Sequence, residues 1–430
     1  MGELGYSSNK TERSRVDRLS MTLIRQQLAS RPLGDPDRAL TGSMAEAGLG
    51  FFPAGGRIGI AVGSRNVDRI ATLATSLVQE LRSLGYEPFI IPAMGSHGGA
   101  TEEGQLQVLA RLGVTEESVG APIEASLEVA ALGRTPGGAE VFTARAALEA
   151  DGIVVVNRVA PHTGFSGPVQ SGVVKMIAVG LGKAEGARAL HIHGFGAGEL
   201  IGQIAAVALE ALPPVVAVAL VEDGEKKLSR LEVMPGSDAL LREPELLGYA
   251  VSMWPRIPVA RVDLLIVDEM GKDISGTGMD PLVTGRGKAF SEAESFNAER
   301  LVVLRLTEAS GGNATGIGHA DITTRALADA VDKVVTYKNV LTSGALYRAR
   351  IPIVADTDIE AVEMAVVSLG RVKPETLRIA HIKSTRSLAE FEVSAPLLEV
   401  LRGRAGIFVE ATARTLTFDE DGAIVSPWPR

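Results

Sequence analysis

The sequence predicts an α/β protein of two domains, each a largely parallel sheet flanked by helices, with the active site in the interdomain cleft. Three observations predict this. The chain has 430 residues, more than one core usually organises. Short apolar runs alternate with stretches of helical periodicity, the pattern of right-handed βαβ units with parallel strands. The segment Met253-Trp254-Pro255-Arg256-Ile257-Pro258 carries two prolines and no periodicity. It divides the alternation into domains 1–255 and 256–430, the last stretch from about Arg378 packing back on the first domain.

Residues 57–62 (RIGIAV) form a buried strand, and 67–84 recur at helical spacing up to Gly85, a C-cap. Residues 88–92 (PFIIP) are the next strand, ending at Gly95-Ser96-His97-Gly98-Gly99, after which Thr101-Glu102-Glu103 opens a helix. Residues 152–156 (GIVVV) are a third buried strand; a helix at 200–212 and a strand at 215–221 complete the first series. The second begins with a strand at 262–267 (VDLLIV). A strand at 301–306, a helix at 321–335, a strand at 351–354 and a helix at 359–369 come after it.

Composition narrows the function. Hydrophobic residues make up 46% of the chain and aromatics 4%, so the cores are built from Val, Ile, Leu and Ala. A net charge of −9 argues against a nucleic-acid footprint, which needs a basic face. Cysteine is absent, which excludes disulfides, thiolate metal sites and cysteine nucleophiles. The polar first twenty residues lack the apolar core of a signal peptide, and no 18-residue apolar run occurs, so a soluble cytoplasmic protein without membrane contact is expected.

Chemistry should gather where parallel strands end. Arg65 comes after the first strand, His97 after the second and His162 (in Pro161-His162) after the third. Four of the six histidines, His97, His162, His191 and His193, lie between positions 97 and 193. Imidazole serves both proton transfer near neutral pH and metal binding. Lys175 stands among apolar residues in Ser171-Gly172-Val173-Val174-Lys175-Met176. It is either a snorkelling surface residue or, desolvated, an amine of lowered pKa able to bond covalently.

These landmarks, Gly95-Ser96-His97, Pro161-His162, Lys175 and a histidine sixteen residues later at His191, resemble in type and order the nickel-dependent lactate racemase family. The resemblance implies a nickel-pincer nucleotide tethered to Lys175 and installed by cofactor-maturation enzymes, with His191 as protein ligand to nickel. It implies His97 and His162 as the acid and base at a hydroxyl-bearing carbon. Ser96, Gly98 and Arg65 would hold the cofactor, and Arg65 and Lys272 would bind a small hydroxy acid or sugar acid that is racemised or epimerised by reversible hydride transfer. Two departures, Val62-Gly63-Ser64-Arg65 in place of D-x-T-R and a longer loop before Lys175, point away from lactate itself.

Other readings stay open. His193 is the rival of His191. The histidines could bind zinc in a hydrolase or lyase, or the chain could bind a nucleotide or solute without catalysis. The segment from Asp268 to Asp280, with Arg286 beyond it, is a solvated loop, or holds a cation or ribose hydroxyls. Residues 313–321 are an anion nest or a helix start capped by Asp321.

Overall fold

The computed structural model describes residues 15–47, 52–194, 198–287, 296–370 and 373–428. The chain divides into two compact units, Leu28–Pro255 and a unit made of Met1–Gln27 with Arg256–Arg430. The division falls in the proline-bearing segment, but the first 27 residues belong with the C-terminal part rather than with the N-terminal domain.

Pairing is the reason. Strand β1 (Ser20–Gln26) runs antiparallel to residues 390–394, with Met21 opposite Ser394 and Arg25 opposite Glu390. The last stretch, expected to return to the first domain, instead pairs with β1 through residues 407–409 and 414–415.

The 28–255 unit contains β2 (Arg57–Val62), β3 (Glu87–Pro92), β4 (Val129–Arg134), β5 (Glu140–Ala144), β6 (Gly152–Arg158), β7 (Val215–Glu222) and β8 (Leu228–Pro235). Its sheet runs β3-β2-β6-β7-β8, parallel except for β8, and β4-β5 form a separate hairpin. The continuous apolar runs of β2, β6 and β7 fit strands covered on both faces. One core holds Phe89, Val155, Phe165 and Ile177, the other Ile60, Leu77 and Val154.

The other unit is built on β9 (Arg261–Met270), β10 (Asn297–Leu306), β11 (Ile322–Thr324), β12 (Ile353–Ala355), β13 (Ile379–Ile382), β14 (Glu390–Ser394), β15 (Ile407–Val409) and β16 (Arg414–Thr415). Its order is β12-β11-β10-β9-β13-β14-β1-β15, with β16 also pairing β1. The path is parallel from β12 to β13 and antiparallel beyond.

The helix expected over 321–335 is not formed. Strand β11 stands there instead, and after it come the short helices Arg325–Asp329 and Lys333–Ser343. Thr323 donates its hydroxyl to the Val303 carbonyl at 2.8 Å and Thr324 to the Leu304 carbonyl at 2.5 Å, which fixes β11 against β10. Asp332 then accepts the N–H groups of Val334 and Val335 and starts a new helix. Asp321 caps no helix; its carboxylate accepts Leu301 N–H and Arg286, both at 2.8 Å. Among the described residues no helix is long and apolar enough to cross a membrane.

Candidate functional site

Strands β3, β2 and β6 are parallel neighbours, so the loops that leave their carboxyl ends emerge along one edge. The loop after β2 brings Ser64 and Arg65, the loop after β3 brings Ser96 and His97, and the loop after β6 brings His162. With Lys175 and His191 they line a cavity of about 150 Å³, to which Asn157, Ser171 and Met176 also contribute. Every lining residue belongs to the 28–255 unit.

Each side chain is held by local chemistry. Gly95 takes a left-handed φ of 59° to turn the chain after β3, and the Nδ1 of His97 meets the Ser64 hydroxyl. Thr101 caps the helix Glu102–Arg111 beyond it. His162 donates its backbone N–H to Gln170 Oε1 at 2.9 Å. Its ring Nδ1 accepts the N–H groups of Gly164 and Phe165, both at 3.0 Å.

Lys175 ends a single helical turn, Val173–Lys175, that widens into a π-turn over Met176–Gly180, a deviation frequent at functional positions. Gly180 has to be glycine, because a Cβ there would lie 2.6 Å from the Ala93 carbonyl oxygen in the loop after β3. The helix Lys183–His191 then delivers His191 at its last residue. The Lys175 ammonium lies 4.6 Å from the Phe165 ring centre, and Phe165 stacks on His191 at 5.8 Å.

Burial, reinforced by the Arg65 charge and opposed by Glu243, lowers Lys175 to about 7. Burial and then the Lys175 charge lower His191 to about 4. Near neutral pH the cavity therefore offers a half-unprotonated amine and a neutral imidazole. Arg65 is also lowered, by burial and by Arg158, but a guanidinium stays cationic.

Several participants escaped the sequence. Glu243 lies buried in the helix Gly236–Met253 and accepts Val174 N–H at 2.9 Å, while its Oε1 has no hydrogen-bond partner among the described residues. Burial, opposed by the N–H groups of Val174 and Val173 and by Lys175, raises it to about 7. A Cβ on Gly172 would overlap this carboxylate at 2.3 Å. The available signal was a glutamate on the apolar face that also carries Ala239, Leu246 and Ala250. Lys183 is fully buried, donating to the Pro92 carbonyl at 2.7 Å and to Gln105 at 3.3 Å, and Gln105 donates to the Gly95 carbonyl at 3.1 Å. That network ties the His97 loop to the helix that ends at His191.

Three residues read from the sequence lie apart from the cavity. Gly98 packs on the next helix, where a Cβ would lie 2.6 Å from Gln105 N. His193 is exposed beyond the helix end. Lys272 belongs to the other unit, where its ammonium donates to the Gly276 carbonyl and to Asn339. The loop around it is tied internally: Gly271 N–H meets the Gly278 carbonyl at 2.9 Å and Thr307 donates to Asp273 at 2.5 Å. A second cavity of about 290 Å³ is lined by Asp268, Arg305, Asp358 and Trp428. Its two aspartates are occupied, Asp268 by His381 and Asp358 by Arg305. Among the described residues no group of three or more His, Asp or Glu side chains is placed to hold a metal ion.

Fold and site together define an α/β domain with histidines and a desolvated lysine at the carboxyl edge of its sheet. Residues 53–199, about a third of the chain, match the lactate racemase N-terminal domain. A solved structure, the lactate racemase apoprotein from Thermoanaerobacterium thermosaccharolyticum, is similar at 16% identity and a TM-score of 0.48, over 86% of this chain and 95% of that one. No curated protein matches the chain.

Proposed function

We propose that the protein is a racemase or epimerase that inverts the hydroxyl-bearing carbon of a small hydroxy acid or sugar acid, using a nickel-pincer nucleotide tethered to Lys175. The observation that carries this reading is the convergence of Arg65, His97, His162, Lys175 and His191 on one cavity, with Lys175 held at about 7 and His191 at about 4.

The residues suit the group. An amine half-unprotonated at neutral pH can form and keep an amide-type bond. A neutral imidazole offers a lone pair to a metal whose remaining ligands would come from the cofactor itself. When bound, the nickel-pincer nucleotide supplies reversible hydride transfer at the substrate carbon. Arg65 provides a fixed positive charge for the substrate carboxylate. One of His97 and His162 takes the hydroxyl proton and the other serves the opposite side of the same carbon.

The test is purification after co-expression with pincer-synthesis enzymes, then intact mass, nickel content and a screen of chiral hydroxy acids. An adduct on Lys175, stoichiometric nickel and loss of optical purity with retention of the carbon-bound hydrogen are expected. Exchange of that hydrogen with solvent would exclude hydride transfer, and hydrolytic turnover without an adduct would exclude the reading as a whole.

A further inference from the structure

The second cavity stands where the topology of its own sheet opens a crevice. In the C-terminal unit the chain leaves β9 toward β10, β11 and β12, then returns to the other side of β9 at β13. In the 28–255 unit it likewise leaves β2 toward β3 and returns beside β2 at β6. Ligands of open parallel sheets bind outside the carboxyl ends of the strands at such a reversal. The cavity of about 290 Å³ is at this point: Asp268 and Glu269 stand near the end of β9, Arg305 near the end of β10, and Lys383 directly follows β13. The activity proposed above uses none of these residues.

Most of the charge on the cavity wall is matched within the protein. Asp358 holds Arg305 through both carboxylate oxygens, at 2.6 and 2.8 Å, and accepts Ile424 N–H at 2.9 Å. Asp268 holds His381, a ring that Asp268 and Glu392 keep protonated to about pH 9 against the lowering by burial. Glu392 is matched in turn by Arg414. Glu269 and Lys383 add one charge of each sign, so the wall is neutral as a whole. A ligand with net charge would bring an uncompensated ion against Leu304, Leu306 and Trp428, which is costly. Phosphate is disfavoured further, because the Asp358 carboxylate already occupies the first turn of the helix Asp358–Ser368.

Two groups remain for recognition. The Glu269 carboxylate makes no hydrogen bond or ion pair among the described residues. Its two oxygens can accept hydroxyls from neighbouring carbons, a charge-assisted pairing. Trp428 is fixed by its indole N–H on Asp268 at 2.7 Å and by the His381 ring at 4.8 Å, and it offers an apolar surface to ring C–H groups. The volume lies at the lower end for small-molecule sites, which suits a single sugar-sized unit.

The geometry points to the second cavity as a binding site for an uncharged ring bearing two adjacent hydroxyls, either a free sugar or the ribose of a nucleoside. Glu269 accepts hydrogen bonds from both hydroxyls, and Trp428 packs on the ring.

The test uses the full chain without cofactor, titrated by isothermal calorimetry with D-glucose, D-ribose, adenosine and L-leucine. Saturation-transfer NMR identifies the ligand protons in contact with the protein. Heat from the sugars identifies a free-sugar site, and heat from adenosine alone identifies a nucleoside site. Removing one hydroxyl, in 2-deoxyribose or 2′-deoxyadenosine, should weaken the responding ligand by about tenfold. Glu269→Gln should weaken it by a similar factor, with an unchanged urea midpoint as the check that the unit is folded. In Trp254→Phe, where Trp428 is the sole tryptophan, the same sugar should change the fluorescence. Lys175→Ala should leave binding as it is. No response to either sugar or to adenosine, a response to L-leucine alone, or full affinity for the deoxy compounds would overturn the inference. Binding kept in Glu269→Gln but lost in Lys175→Ala would overturn it as well, since the ring would then lie in the first cavity.

Discussion

His381 is a direct test of how charge holds the C-terminal unit together. Its fully buried ring lies between two carboxylates, Nδ1 at 2.9 Å from Glu392 and Nε2 at 2.7 Å from Asp268. Asp268 also accepts Ser426 at 2.6 Å and Trp428 at 2.7 Å, and Glu392 accepts Arg414 at 2.8 and 2.9 Å. Burial alone would depress the imidazole, but Asp268 and Glu392 outweigh it and raise His381 from 6.5 to about 9. That raise is worth about 3 kcal/mol of folding free energy. Because the folded state binds this proton more tightly, the stabilisation is complete below about pH 6.5 and is lost as pH rises through about 9. Lys175 and Lys183 are depressed in the 28–255 unit, to about 7 and about 8, and give slopes of the opposite sign. The probe must therefore be local. Trp428, 4.8 Å from the His381 ring, becomes the sole tryptophan once Trp254→Phe is made, since the chain has two. Urea titrations monitored by its fluorescence should show the free energy falling by about 3 kcal/mol between pH 6.5 and 9. His381→Gln should flatten this slope and lower stability at pH 6. A transition unchanged over this range, or the same decline in His381→Gln, would refute the argument.

Glu243→Gln removes the negative charge that opposes the lowering of Lys175, so the pH midpoint for acylating Lys175 in the unloaded protein should fall by about one unit; an unchanged midpoint, read by peptide mass spectrometry, would reduce Glu243 to a core filler. Lys183→Met strips the donor from the Pro92 carbonyl and Gln105 and should cost about 2 kcal/mol in urea unfolding of the 28–255 unit, with Lys175 acylation as a check that the cavity survives.

The carboxyl-edge residues were legible because their strands are. β2 and β6 are unbroken apolar runs, and the residues after each must leave the sheet at its functional edge. Lys175 was legible by its order among the other landmarks, although nothing in a string shows a π-turn. Glu243, Lys183 and Gln105 were not, since each acts across the fold on a residue distant in sequence. The stretch 321–335 misled because Leu327, Val331 and Val334 keep helical spacing, while two threonine hydroxyls bound to β10 decide for a strand. His381 carried no local mark: its partners stand at 268 and 392, and only register brings them together.

The placement of β1 with the C-terminal sheet also sets an order of events in time. The strand is synthesised first, but its partners β14, β15 and β16 arrive only with residues 390–415. Everything from Leu28 to Pro255 is an insertion between β1 and the remainder of its own sheet. During synthesis the inserted unit can close its core while the strand ahead of it still waits. An exposed hydrogen-bonding edge is then carried until residues 390–415 emerge, a period in which pairing with another chain competes with the native outcome. The mixture of exposed and buried residues in β1, rather than a continuous apolar run, suits a strand that has to wait that long in water.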